Sequence, residues 1–146
     1  MTPSQHSLWE AVRGLAAVEA GGRLRTSEQA VALAKQLHEK LVLHLAPVVG
    51  DAGMDALFAR SVRKTKPDFP SLSELETGGP PQKVLAQLYE HLQKQKVAEL
   101  EKIIVALMVA FIRLLSTFIG EGLTWKLVRQ AWPECLPNEF PSGETT

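Results

Sequence analysis

Residues 102–125 read KIIVALMVAFIRLLSTFIGEGLTW, the most apolar stretch of the chain. It is either a membrane span or the central helix of a core, and that choice decides the fold. A spanning helix needs about 20 predominantly apolar residues. The run from Ile103 to Ile119 is shorter than that and contains Arg113. An arginine at mid-membrane costs about 2.5–3.5 kcal/mol on insertion scales. Ser116 and Thr117 weaken the run further, and Gly120-Glu121-Gly122 interrupts any helical extension. A helix that is apolar nearly all round also suits the centre of a small bundle, where every side meets another helix. The core reading is therefore preferred. Arg113 then lies where the helix reaches the surface, or pairs with a carboxylate. Membrane association is the secondary reading, either directly or through a bundle that opens to expose this helix, as some pore-forming and apoptosis-type bundles do. That last comparison is one of fold style only.

The segments around this helix supply the faces it would bury. Ser7 and Glu10 have capping-box spacing, and Leu8, Val12 and Leu15 follow at helical intervals up to Gly21-Gly22. Thr26 and Gln29 offer a second capping box. Beyond it Ala30, Ala34, Leu37, Leu41 and His44 form a stripe, widened by Val31, Leu33 and Leu45, that predicts an amphipathic helix from Ser27 to about Ala46, ended by Pro47 and Gly50. A third helix begins at Asp51 with Met54, Leu57, Phe58 and Val62 on its apolar side, and Pro67 and Pro70 stop it. Residues 67–81, PDFPSLSELETGGPP, read as an irregular connection and the most mobile element, with Ser71 and Glu74 placed to cap one turn. Val84, Leu85, Leu88 and Leu92 mark a fourth helix, and the polar QKQK at 93–96 leads into the long helix over 97–119. Thr124 is positioned to cap a last helix, TWKLVRQAW, which Pro133 ends. No segment alternates polar and apolar residues as a half-buried strand does. The chain is thus expected to be all-α, a compact bundle of five to six helices around a long apolar central helix. The expected organisation is a loose tail at 1–6, one helical domain at 7–133 and a flexible proline-rich tail at 134–146.

The totals exclude several functions. The 146 residues include 16 Lys plus Arg and 16 Asp plus Glu, a formal net charge of zero. That balance argues against a dedicated nucleic-acid binder or a strong attraction to anionic lipid. Arg60, Arg63 and Lys64 form a candidate basic face on the third helix. They come late in it, whereas a recognition helix reads bases from its N-terminal end. No nucleic-acid partner is expected, and weak nucleic-acid binding through this face stands only as a further alternative. One cysteine, Cys135, permits no internal disulfide, and the N-terminal sequence lacks a secretory pattern, so the expected location is cytoplasmic.

No catalytic constellation emerges, so the protein is read as a non-enzyme with no cofactor and no metal. His38 and His44 are six apart and diverge on their helix, whereas two ligands on one face sit four apart. Cys135 has no neighbouring base or cation to activate it. Gly120-Glu121-Gly122 lacks the strand and the third glycine of a dinucleotide loop. The remaining signal is aromatic. Trp125 and Trp132 are seven apart on the last helix with Val128 between them; core packing is the default reading of that side, and a partner-binding surface is the functional alternative, since tryptophan is favoured at binding hot spots. Trp9 is placed to join them. The expectation is a protein-interaction or regulatory module, adaptor-like and self-associating, with a protein partner or a second copy of itself. It would use a groove beside the central helix or the Trp125/Trp132 helix. A bundle interior is compatible with a small apolar molecule, but no residue set in the sequence argues for an enzyme or a carrier.

Overall fold

Thr26 shows how local chemistry sets the elements. In the computed structural model, which describes residues 5–22 and 24–133, its extended backbone precedes a helix, and its side chain accepts a hydrogen bond from the Gln29 amide at 3.1 Å. The Gln29 side chain reaches back to the Arg25 amide at 2.7 Å, so donors exposed at the helix start are satisfied from both directions. The described residues form six α-helices and two single 3₁₀ turns. They are α1 Gln5–Ala20, α2 Ser27–Val49, α3 Asp51–Thr65, α4 Pro81–Leu92, α5 Val97–Ile119 and α6 Glu121–Ala131. The all-α bundle expected from the sequence is the observed fold.

Three boundaries differ from expectation. α1 starts at Gln5, two residues before the start expected at Ser7. α2 runs past Pro47 to Val49, because a proline in the last turn sacrifices a single backbone bond. Its end is fixed by Gly50, whose φ of 83° suits glycine and whose amide bonds the Ala46 carbonyl at 2.7 Å. Gly120, at φ 92°, makes the corresponding break after α5. There α6 restarts at once, so Thr124 does not cap it: its hydroxyl bonds back to the Gly120 carbonyl at 2.7 Å from within the helix.

α5 is the centre. α1, α2, α3 and α6 all pack against it, and ten of its residues are buried, from Leu100 to Leu115. α2 runs alongside α5 in the same direction. The Ser27 hydroxyl bonds the Gln95 carbonyl at one end, and Ala34, Leu37 and His38 share a cleft with Ile104, Leu107 and Met108 further along. Both helices therefore end, at Gly50 and Gly120, towards the same end of the bundle.

The connection expected at 67–81 is tied to the bundle at several points. Leu72 and Leu75 are buried, and the side chains of Lys66 and Arg63 donate to the carbonyls of Leu75 (2.6 Å) and Thr77 (2.9 Å). Ser71 caps nothing with Glu74. Its hydroxyl bonds Glu99 on α5 at 3.2 Å, and His91 on α4 bonds its carbonyl. Proline and glycine made the segment look loose. Two leucines inserted into the core and four polar ties hold it down.

Candidate functional site

The side of α5 that carries Leu100, Ile103, Leu107, Ala110, Leu114 and Phe118 is one continuous line at intervals of three and four. Its first half is covered, with Leu100 and Ile103 both 0% exposed, and the neighbouring Glu99 accepts a hydrogen bond from Ser71. Its second half is covered only in part. Leu107, Ala110 and Leu114 are half-buried, Leu107 at the edge of the cleft shared with α2 and Leu114 against the core, and Phe118 is 66% exposed. Arg113 and Thr117 border this open face and are exposed, and the Thr117 hydroxyl bonds the Arg113 carbonyl at 3.1 Å. Just past the Gly120 break, Leu123 is 40% exposed. An apolar face of this kind on the central helix is unusual for a self-contained bundle, which buries its most apolar helix first.

The tryptophans are elsewhere. Trp125, Val128 and Trp132 lie inside the bundle, each no more than 2% exposed, so the expected anchor surface on α6 is corrected to core. The spacing put them on one side of α6, and that side is the one packed on α2 and α5. The Trp132 indole N–H donates to Glu19 on α1 at 2.9 Å, and Lys40 on α2 pairs with the same oxygen at 2.8 Å while lying 5.6 Å from the indole centroid. Three helices are joined there by one carboxylate. Trp9 is half-buried against the same core.

A cleft that the sequence did not reveal lies among α2, α3, α4 and α5. His38 and Tyr89, 51 residues apart, meet in it at 3.0 Å from Nδ1 to the phenol oxygen. Phe58 packs edge-on to His38 at 4.2 Å between centroids and stacks on Phe111 at 4.4 Å. Burial holds His38 below its ordinary 6.5, against the opposing pull of Asp55 and Glu39, and burial with the Glu39 charge pushes Tyr89 up to about 12. Neutral imidazole can accept the phenol hydrogen at Nδ1, whereas imidazolium cannot. The cleft encloses about 50 Å³, well below the few hundred that a small-molecule site needs. This cleft is therefore too small for an apolar ligand in this packing.

His38 gives a pH prediction. Its folded-state value lies below its unfolded value, so acidification protonates the unfolded chain first. Stability is complete above about 6.5 and falls as pH drops through the folded-state value. Urea midpoints of the native protein are expected to fall between neutral and mildly acid pH, and His38→Gln is expected to remove part of that fall. An identical pH dependence in the variant would mean that His38 does not contribute.

The remaining candidates separate in space. Arg60, Arg63 and Lys64 are exposed near the end of α3, but Arg63 is engaged with Thr77, so the basic face partly serves to hold residues 66–79. His44 is half-buried on α2. No group of three or more His, Cys, Asp or Glu side chains suited to a metal occurs among the described residues. Cys135, with the tail at 134–146, lies outside the described residues, as does most of the tail expected at 1–6. Compared with known protein families, curated proteins and solved structures, the chain matches none of them.

Proposed function

We propose that this protein works by binding, as a helical protein-interaction module, and that its docking surface is the open face of α5 formed by Leu107, Ala110, Leu114 and Phe118. The observation that carries the reading is the exposure of Phe118 on the most apolar helix of the bundle, two turns beyond fully buried Phe111 on nearly the same line. A second helix laid along this face would meet apolar side chains at the spacing used in helix-in-groove recognition. Exposed Arg113 and Thr117 would form a polar rim, as binding surfaces have. A second copy of the chain is the simplest partner, because one self-complementary face closes a twofold dimer. Purified without detergent, the protein is expected to exceed its 16.0 kDa monomer mass by light scattering as concentration rises. Phe118→Glu is expected to return it to the monomer with its unfolding midpoint little changed. A native protein that stays monomeric at every concentration contradicts self-association.

A second reading has its own observation. α5, at 23 residues, is long and apolar enough to cross a membrane by length and composition, although half of its most apolar window is buried in the bundle. The sequence estimate of a shorter run counted only from Ile103. If the open face seeks lipid, Arg113→Leu should increase flotation with vesicles. If it seeks protein, that change should leave flotation unaltered and affect only association or solubility.

A further inference from the structure

Residues 27–65 and 97–131 repeat one another at a spacing of 70, the separation of Gly50 from Gly120. α2 and α5 each have 23 residues, and each ends at a glycine with φ of 83° or 92° whose amide bonds a carbonyl four residues back. α3 and α6 follow at once, opening with Asp51 and Glu121. Buried positions coincide as well, Leu41 with Phe111, Leu45 with Leu115 and Leu57 with Leu127. α3 packs on α5 and α6 on α2, so the exchange is mutual, as an approximate twofold along α2 and α5 requires. At this register Val48 matches Phe118, and the two are 46% and 66% exposed. They lie 11 residues, or about three turns, beyond Leu37 and Leu107, which line one cleft. Val48 and Phe118 therefore continue the two walls of that cleft towards the end of the bundle marked by the glycines. Leu123, 40% exposed, follows Gly120 there.

We propose that the self-association face extends from α5 onto the end of α2, so that Val48, Phe118 and Leu123 of one copy meet the same side chains of a second copy. This deepens the reading given above and rests on it. Area and charge both support a second copy as the occupant. A stable interface buries about 800 Å² per partner. The α5 face alone, with three of its four members half-buried, offers too little apolar surface for that. The end of α2 supplies the missing neighbour. Charge is also uneven across the approximate twofold. Near the glycines the α2–α3 side carries Asp51 and Asp55, and the α5–α6 side carries Arg113 and Lys126 against Glu121, which is −2 against +1. A twofold dimer lays the acidic side of each copy over the basic side of the other. An anionic lipid surface would instead repel Asp51, Asp55 and Glu121.

The test is light scattering of the full-length chain over a concentration series, with urea midpoints measured alongside. Val48→Glu is expected to raise the dimer dissociation constant by about tenfold or more, because it buries an unpaired carboxylate in the interface, and to change the midpoint little. Val48→Ser should act in the same direction by less, and it decides alone if Val48→Glu does not fold. Val18→Glu alters a side chain 52% exposed on α1 and should leave association unchanged. If Val48→Glu associates as the native protein does while Phe118→Glu is monomeric, the extension onto α2 is overturned and the α5 face stands. Equal losses in Val48→Glu and Val18→Glu overturn it too, since added charge alone would explain them. A native protein that is monomeric throughout removes the self-association itself, and this extension with it.

Discussion

Trp132→Ala is expected to lower stability by about 3–5 kcal/mol, the range for deleting a large buried aromatic. Against a total of about 5–15 kcal/mol for a typical domain, that is enough to leave the fold marginal. The indole is 1% exposed, and its removal opens space where α1, α2 and α6 meet. The Glu19 carboxylate would keep Lys40 but lose its indole donor. Trp132→Phe separates the two contributions. It keeps most of the ring volume and loses the hydrogen bond to a charged acceptor, for which about 1.5–3 kcal/mol is typical. Urea unfolding of the two variants measures both. A Trp132→Ala protein with an unchanged midpoint would place this residue on the surface, where the sequence had offered it as a partner anchor.

Phe111→Ala is expected to cost a similar 3–5 kcal/mol. Phe111 is 1% exposed and stacked on Phe58 with the rings 15° apart, and Phe58 in turn meets His38. The loss would therefore disturb the contact of α3 with α5 and the lining of the His38–Tyr89 cleft together. Phe118→Ala, one heptad along, is expected to change stability by no more than about 0.5 kcal/mol. The contrast matters more than either value. The two phenylalanines lie on nearly the same side of α5, and the elements laid over the helix distinguish them. Equal losses at both positions would mean that the face is closed in solution.

This pair also marks where sequence reasoning stops. The bounds of α5, the Thr26 cap and the breaks at Gly50 and Gly120 were legible because each depends on residues within one or two turns. The period of a helix likewise fixes which residues share a side, and it placed Trp125, Val128 and Trp132 together correctly. It cannot say whether that side meets another helix or water. The answer for α6 was burial against α2 and α5, and for the second half of α5 it was exposure. Segment 67–81 is a related case. Its prolines and glycines report the absence of regular structure, while Leu72 and Leu75 anchor it through contacts that depend on the tertiary fold. The meeting of His38 with Tyr89 spans 51 positions and left no local trace.

The binding account rests on the open face, and side-chain footprinting tests it most directly. Carbene labelling of the native protein would be followed at Leu114 and Phe118, with Leu43, 70% exposed on α2, as the reference. The account predicts that Leu114 and Phe118 are labelled in dilute protein and become protected as concentration rises, while Leu43 does not change. Labelling of Phe118 that matches Leu43 at every concentration, or protection that arises only when vesicles are added, would contradict it.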